Sequence, residues 1–197
     1  MLTEAIKQLK TSILLLVLFS ILTGLIYPAV VTGLAQLLFA KQANGSLIQQ
    51  DNKVIGSKLI GQYFNTPDYF WGRPSATTSF PYNAIASAGS NLGPTNPDLI
   101  TTVKNRISIL HKLDSQNQLP IPVDLVTASA SGLDPEISPL AAFYQVSRVA
   151  KARNLPENQV IALIQHSIKK RFLWILGEPR VNVLQLNLAL DNLTRKK

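Results

Sequence analysis

From Thr11 to Ala40 the chain runs thirty residues without a charge, and Ile13 to Leu18 is wholly aliphatic. At about 1.5 Å rise per residue, roughly 20 apolar residues cross a hydrocarbon core of about 30 Å. Ile13 to Leu34 meets that length, and the surplus to Ala40 leaves room for tilt or an exit turn. Core helices of soluble domains rarely run this long uncharged, so the sequence predicts a membrane span over 13–34 behind a short tail, 1–12. A cleaved signal peptide is the nearest rival, with Lys7 and Lys10 as its basic region and Ile13 to Ile26 as its apolar core. Small residues at A-x-A spacing should then follow, whereas Tyr27-Pro28-Ala29-Val30-Val31 continues largely apolar to Phe39. An uncleaved anchor is the expectation. Pro28 removes one helical hydrogen bond and predicts a kink low in the span, a defect that a neighbouring helix or a Thr hydroxyl relieves. Ser20 and Gly24 form a small-xxx-small pair that would admit a close partner helix.

The anchor leaves 41–197, about 155 residues, which is enough for one domain with a sizeable core. From Lys41 onward 17 basic residues face 10 acidic ones, a net +7 of the +8 total. The basic residues are scattered and not interleaved with aromatics, so nucleic acid is not the expected partner. Solvated surface or attraction to anionic headgroups accounts for them better. With no cysteine there is no disulfide, thiol nucleophile or Cys-zinc site, and either side of a bacterial-type membrane stays open as the compartment. Lys7 and Lys10 on one flank balance Lys41, Lys53 and Lys58 on the other, so the charge rule sets no orientation.

Along the domain, Gln42 to Ser46 reads as a polar exit, and Ser46–Gln50, Asp51–Lys53 and Val54–Gly56 read as strand, turn and strand. Tyr63 to Tyr82, rich in aromatics, Pro, Ser and Thr, predicts an ordered loop with packed aromatics. Asn96 with Pro97 predicts a capped helix ending near Lys112, its face made of Ile100, Val103, Ile107 and Leu110. The β-branched content of 122–128 predicts a buried strand, with 129–135 the turn out of it. Ser138-Pro139 should open a helix that runs to Asn154. Pro156 should open another through Val160, Leu163, Ile164 and Ile168, broken at Gly177-Glu178-Pro179. The tail 182–191 alternates as a strand does, but its Leu, Ala and Gln and an Asn182 cap favour helix. The fold class expected is α+β: one N-terminal transmembrane helix followed by one mixed α/β domain.

Chemistry-bearing patterns are sparse. His111 and His166 have no second ligand beside them at metal spacing, so no metal site is expected. The glycines of Ser87 to Pro97 raise the question of a phosphate cradle, but Gly93 is followed by Pro94 and no lysine comes before Lys104, so a Walker A loop is absent. Backbone N–H groups around Gly89 to Asn91 would make either an anion nest or a plain turn, the turn being favoured. Ser129 and Ser131 lie outside any G-x-S-x-G, and Asp134 and Glu136 read as caps as readily as an acid–base pair. No catalytic residue is nominated. A membrane-anchored extracytoplasmic hydrolase or binding module remains the alternative to a non-catalytic subunit.

Several segments together resemble one family, the C subunit of the Kdp-type potassium-transporting P-type ATPase of bacteria. They are Tyr27-Pro28, Gln42–Ile48, Gly56-Ser57 with Leu59–Gln62, Gly72–Ala76, Tyr82-Asn83, Gly89–Leu92, Val126–Asp134, Arg148–Leu155 and Leu186–Asp191. The order covers nearly the whole chain. Ala88 departs from a Ser-Gly-Gly-Ser-Asn pattern, which puts in doubt any role needing glycine flexibility there. The resemblance implies a single-pass protein of the bacterial inner membrane with its domain outside. It also implies three partners: a channel-like potassium-translocating subunit, an ATP-hydrolysing subunit and a small fourth one. The family is also described as a catalytic chaperone that raises the pump's affinity for ATP. No cofactor is expected to bind firmly, and ATP would be met only through the complex. An outside domain conflicts with direct contact, because ATP is inside; any effect would travel by coupling between subunit states. Were nucleotide to touch the domain, Ser87, Gly89, Ser90, Asn91 and Gln145 are the residues nominated.

Overall fold

In the computed structural model, which describes residues 1–195, the chain divides into two compact units, the first ending at Leu47 and the second beginning at Ile48. The first is one continuous helix of 42 residues, Leu2–Ala43. It is built of α1 (Leu2–Ile21), a five-residue π turn (Leu22–Ile26) and α2 (Tyr27–Ala43). At about 1.5 Å per residue this is roughly twice what a bilayer core requires, so helix continues past both ends of the predicted span and absorbs Gln42 and Ala43. None of the residues of α1, the π turn or α2 is buried, and Ile13 to Phe19 all stand about half exposed or more. An apolar surface of this kind is stable in lipid and not in water.

The expected defect at Pro28 takes the form of the π turn immediately before it, where the Tyr27 N–H reaches back five residues to the Leu22 carbonyl. A wider turn gives the proline ring room that an α turn would deny. Thr23 donates its hydroxyl to the Phe19 carbonyl at 2.7 Å, so the threonine serves a carbonyl further up the helix. A second irregularity falls at Phe39 (φ −137°, ψ 38°). Asn44 then ends the helix, bonding the Ala40 carbonyl at 2.7 Å and the Gln36 side chain at 3.1 Å.

The hairpin β1 (Leu47–Gln50) and β2 (Lys53–Ser57) follows the helix, and in it Asp51 (φ 50°) and Asn52 (φ 60°) adopt the left-handed backbone of a two-residue turn. After a long ordered loop comes α3 (Pro97–Leu113), capped as predicted by Asn96, whose side chain accepts the Asp98 N–H at 2.8 Å. Its inward face is Val103, Ile107 and Leu110; Ile100 lies outside it, 46% exposed.

Three expectations fail locally. Residues 122–128 form no strand: Val123–Leu125 is a 3-10 turn, with Val123 in solvent and Leu125 buried. Its polar side chains serve nearby backbone, since Thr127 donates to the Val123 carbonyl at 2.8 Å and Asp124 accepts the Ser138 N–H at 2.6 Å. The helix opened by Ser138, which caps Ala141 N–H at 3.0 Å, breaks into α4 (Pro139–Tyr144) and α5 (Val146–Arg153) at Gln145. The next helix, α6 (Glu157–Ser167), stops ten residues short of Gly177, because Ile168 turns extended (φ −69°, ψ 119°) to pair with Val181.

A three-stranded antiparallel sheet, in the order β3 (Glu136–Ile137), β5 (Arg180–Asn182), β4 (Ile168–Lys169), closes this end of the domain. The tail resolves as helix, α7 (Val183–Arg195), with Asn182 accepting the Gln185 N–H at 3.0 Å. Val183, Leu186 and Leu190 of α7 meet Val146 and Val149 of α5 and Val160 and Ile164 of α6 in one core around Phe70 and Trp71. Each such side chain contributes about 1.5–3 kcal/mol of apolar burial. The α+β class with one long N-terminal helix is what the structure shows.

Candidate functional site

Phe70 and Trp71 cross the core in a stretch that is neither helix nor strand. Their N–H and C=O groups are buried and must find partners. Two carboxamides meet them, one on each residue. Gln145 Oε1 accepts the Trp71 N–H at 2.8 Å while its Nε2 donates to the Trp71 carbonyl at 3.1 Å. Asn187 repeats the pattern on Phe70, accepting at 2.9 Å and donating at 3.0 Å. The helix break at Gln145 gives one amide, and the apolar face of α7 carries the other.

Arg148 completes this buried clamp. Its guanidinium donates to the Pro67 and Tyr69 carbonyls at 2.6 and 3.0 Å and to Gln145 Oε1 at 2.6 Å, and lies 4.8 Å from the centre of the Trp71 ring. Burial lowers its pKa to about 10, still charged at neutral pH. Arg153 is tied alongside by Asp191 at 2.7 Å and by the face of Tyr69 at 4.5 Å. Burial works against its charge, but the Asp191 hydrogen bond and charge outweigh that and raise its pKa.

Of the residues nominated for nucleotide, Gln145 is thus 1% exposed, with both ends of its amide engaged; a further Nε2 bond reaches the Ala141 carbonyl at 3.1 Å. Ser87, Ser90 and Asn91 are exposed on a loop edge whose bonds run elsewhere. The Ala88 N–H donates to the Ser131 carbonyl at 3.0 Å, and the Ser87 hydroxyl to that same carbonyl at 2.9 Å. Gly89 lies flat against Ala130, whose carbonyl oxygen would stand 2.8 Å from any Cβ placed there. The structure therefore places Gln145 in the core clamp and Ser87 and Gly89 against Ala130–Gly132, with Ser90 and Asn91 exposed beside them, so the nominated residues do not form one site. Ser129, of the hydrolase alternative, is buried and accepts the Gly132 N–H at 2.9 Å. Among the described residues no three His, Cys, Asp or Glu gather as metal ligands would.

The segments carrying the resemblance meet around Arg73, which pairs with Asp134 at 3.4 Å and donates to the Ala128 carbonyl at 3.0 Å. Tyr82 donates its phenol to the Arg73 carbonyl at 2.6 Å, and Ser75 joins the Tyr82 N–H at 2.8 Å to the Gly132 carbonyl at 2.7 Å. A cavity of about 190 Å³ lies beside them, lined by Tyr63, Arg73, Tyr82 and Arg106. Burial and the nearby Asp134 push the Tyr82 phenol up to about 12, and burial lowers Arg106. On the anchor, Ser20 lies in α1 and Gly24 in the π turn, with nothing within 4 Å of a Cβ built on Gly24.

Sequence reasoning missed Asn187, Arg148 and the Phe70-Trp71 backbone they hold. The signal for Asn187 was present: a lone amide at helical spacing between Val183 and Leu190 on an otherwise apolar face.

Compared with known proteins, residues 9–192 match the family described as KdpC, the K+-transporting ATPase c chain. A potassium-transporting ATPase KdpC subunit of Herpetosiphon aurantiacus is 62% identical over 178 residues, 90% of this chain and 92% of the relative. Those of Paraburkholderia phytofirmans and Methylococcus capsulatus are 60% and 57% identical, covering 91% and 95% of this chain and 95% and 99% of theirs. With the match running from inside the anchor to the last turns of α7, the chain belongs to the KdpC family.

Proposed function

We propose that the chain is the membrane-anchored, non-catalytic subunit of an ATP-driven potassium uptake pump, and that it stabilises the assembled complex. The observation that carries this reading is the extent of the family match, 9–192, which takes in anchor and domain alike. The domain's strongest polar groups point inward to its own backbone, as suits a rigid body that binds by its surface. In this reading the helix crosses the bacterial inner membrane once and the domain stands outside. The partners are a channel-like potassium-translocating subunit, an ATP-hydrolysing subunit and a small fourth subunit.

A rise in the pump's affinity for ATP belongs to the same proposal. With ATP inside and the domain outside, it acts by favouring the subunit state that binds ATP, a coupling free energy of about 1–3 kcal/mol in typical cases. Ser87, Ser90 and Asn91, being exposed, are where direct contact with nucleotide would be sought. The test is purification of the tagged chain from its native membrane. Larger membrane subunits and potassium-stimulated ATPase activity are expected to come with it; a chain recovered alone and without that activity contradicts the proposal.

A further inference from the structure

Outside the anchor, one run of consecutive large apolar side chains stands in the open. Phe172, Leu173, Trp174, Ile175 and Leu176, between β4 and β5, are 68, 66, 81, 79 and 59% exposed. They form a tight hairpin with three residues, 173–175, between the paired Phe172 and Leu176, and two of the three, Leu173 (φ 50°) and Trp174 (φ 67°), hold the left-handed backbone that glycine or asparagine adopts more easily. A local rule broken by two bulky residues at an exposed tip points to function.

The backbone of the tip is largely self-satisfied. Phe172 and Leu176 exchange N–H to carbonyl bonds of 2.8 and 2.9 Å, Ile175 donates to the Phe172 carbonyl at 3.2 Å and Trp174 to the Arg171 carbonyl at 3.4 Å. At its base stand Lys169, Lys170, Arg171 and Arg180 against Glu136 and Glu178. Glu136 pairs with Lys169 at 3.3 Å and Arg180 at 2.7 Å, and Glu178 with Arg171 at 2.7 Å. Four cations against two carboxylates leave a surplus of positive charge, and the Lys170 ammonium lies 5.6 Å from the centre of the Trp174 ring.

We propose that this tip enters the interfacial layer of the bilayer, with Leu173, Trp174 and Ile175 among the upper acyl chains and the basic base at the phosphates. Tryptophan with flanking Lys and Arg is the composition that membrane interfaces select, and anionic headgroups reward the surplus charge. Paired backbone N–H groups reduce the penalty that lipid imposes on unsatisfied ones. A convex three-residue tip suits a fluid that closes around it, whereas a protein partner would have to offer a pocket for each side chain. The inference rests on the anchor, which keeps the domain at a membrane surface so that a weak insertion suffices. Its consequence is a second membrane attachment, limiting the domain's freedom about its tether.

The test uses the full chain in phosphatidylcholine–phosphatidylglycerol vesicles carrying bromine near the top of the acyl chains. Trp71 and Trp174 are the two tryptophans, so the Trp174→Phe variant supplies the background of the buried Trp71. The expected result is loss of most Trp174 emission to the bromines. Recovery is expected in Leu173→Asp/Ile175→Asp, whose substitutions lie in solvent and leave the core untouched. Flotation with the vesicles reports the anchor separately. A chain that fails to float overturns anchor and proposal together; one that floats with Trp174 unquenched overturns the proposal alone. Shielding of Trp174 only when other subunits are present would assign the tip to a protein partner and equally overturn it.

Discussion

Gln145 closes both hydrogen bonds of the Trp71 peptide backbone, at 2.8 and 3.1 Å, while its oxygen also receives Arg148. One amide thereby substitutes for a missing β-strand neighbour. Removing it in Gln145→Ala orphans the Trp71 N–H and carbonyl and loosens Arg148, at about 1–3 kcal/mol for each buried group left unpaired. A loss of roughly 3–5 kcal/mol is expected in denaturant unfolding of the full chain in detergent, followed by Trp71 emission. Gln145→Glu keeps the acceptor but, when ionised, turns an oxygen on the Trp71 and Ala141 carbonyls, so its loss should be clearly smaller only at acid pH, where the protonated carboxyl again donates. Equal losses at acid pH would show that the hydrogen bonds are not what matters at this position.

Tyr82 supplies a pH dependence with a defined sign. Burial, with Asp134 adding to it, moves its phenol from 10 to about 12, so the folded state holds that proton more tightly than the unfolded one. Its contribution to stability is complete below pH 10 and is lost as pH rises towards 12. Arg148 runs the opposite way: lowered to about 10 by burial, it costs stability while charged, and that cost is relieved above pH 10. Unfolding data blend the two, so tyrosinate absorbance is the cleaner measurement. A late step near pH 12 is expected, absent in Tyr82→Phe; full titration of the native protein near pH 10 would contradict it.

The elements legible in sequence were those with a local cause. Thirty uncharged residues dictate the anchor, and Asn96-Pro97, Ser138-Pro139 and Asn182 mark helix starts because a short polar side chain meets an orphan N–H within three residues. What escaped depends on distant partners. Ile168 leaves the helix because Val181 awaits it thirteen residues on, and Gln145 reads as one more helical residue until Trp71, 74 positions away, supplies its partner. Val123 and Val126 have strand composition, but Asp124 and Thr127 hold that stretch as a turn. The family motifs named the protein's kind without locating its clamp, because Phe70-Trp71 and Asn187 are joined only in three dimensions.

Orientation is open to a single labelling experiment. Ser115 is exposed just beyond α3, and the chain has no cysteine of its own. A Ser115→Cys variant should react with a membrane-impermeant thiol reagent in intact spheroplasts. Reaction only after lysis would place the domain inside, where direct contact with ATP becomes physically available.

Helix packing predicts a different sensitivity. In lipid no hydrophobic drive brings helices together, so close backbone approach and dispersion must do so, with polar contacts adding roughly 1 kcal/mol. Gly24→Leu keeps the helix apolar and should still insert. It fills the open space over Gly24 and should lower recovery of the complex on co-purification, while Leu16→Ile leaves recovery unchanged. Equal recovery of the two would make the helix a tether and leave assembly to the domain.

A pump subunit must be needed for pumping, and membranes from cells deleted for this chain measure that most directly. Potassium-stimulated ATPase activity is expected to vanish on deletion and to return when the full chain is supplied, but not when residues 1–47 are supplied alone. Undiminished activity in the deleted membranes, at the same apparent affinity for ATP, would contradict the assignment.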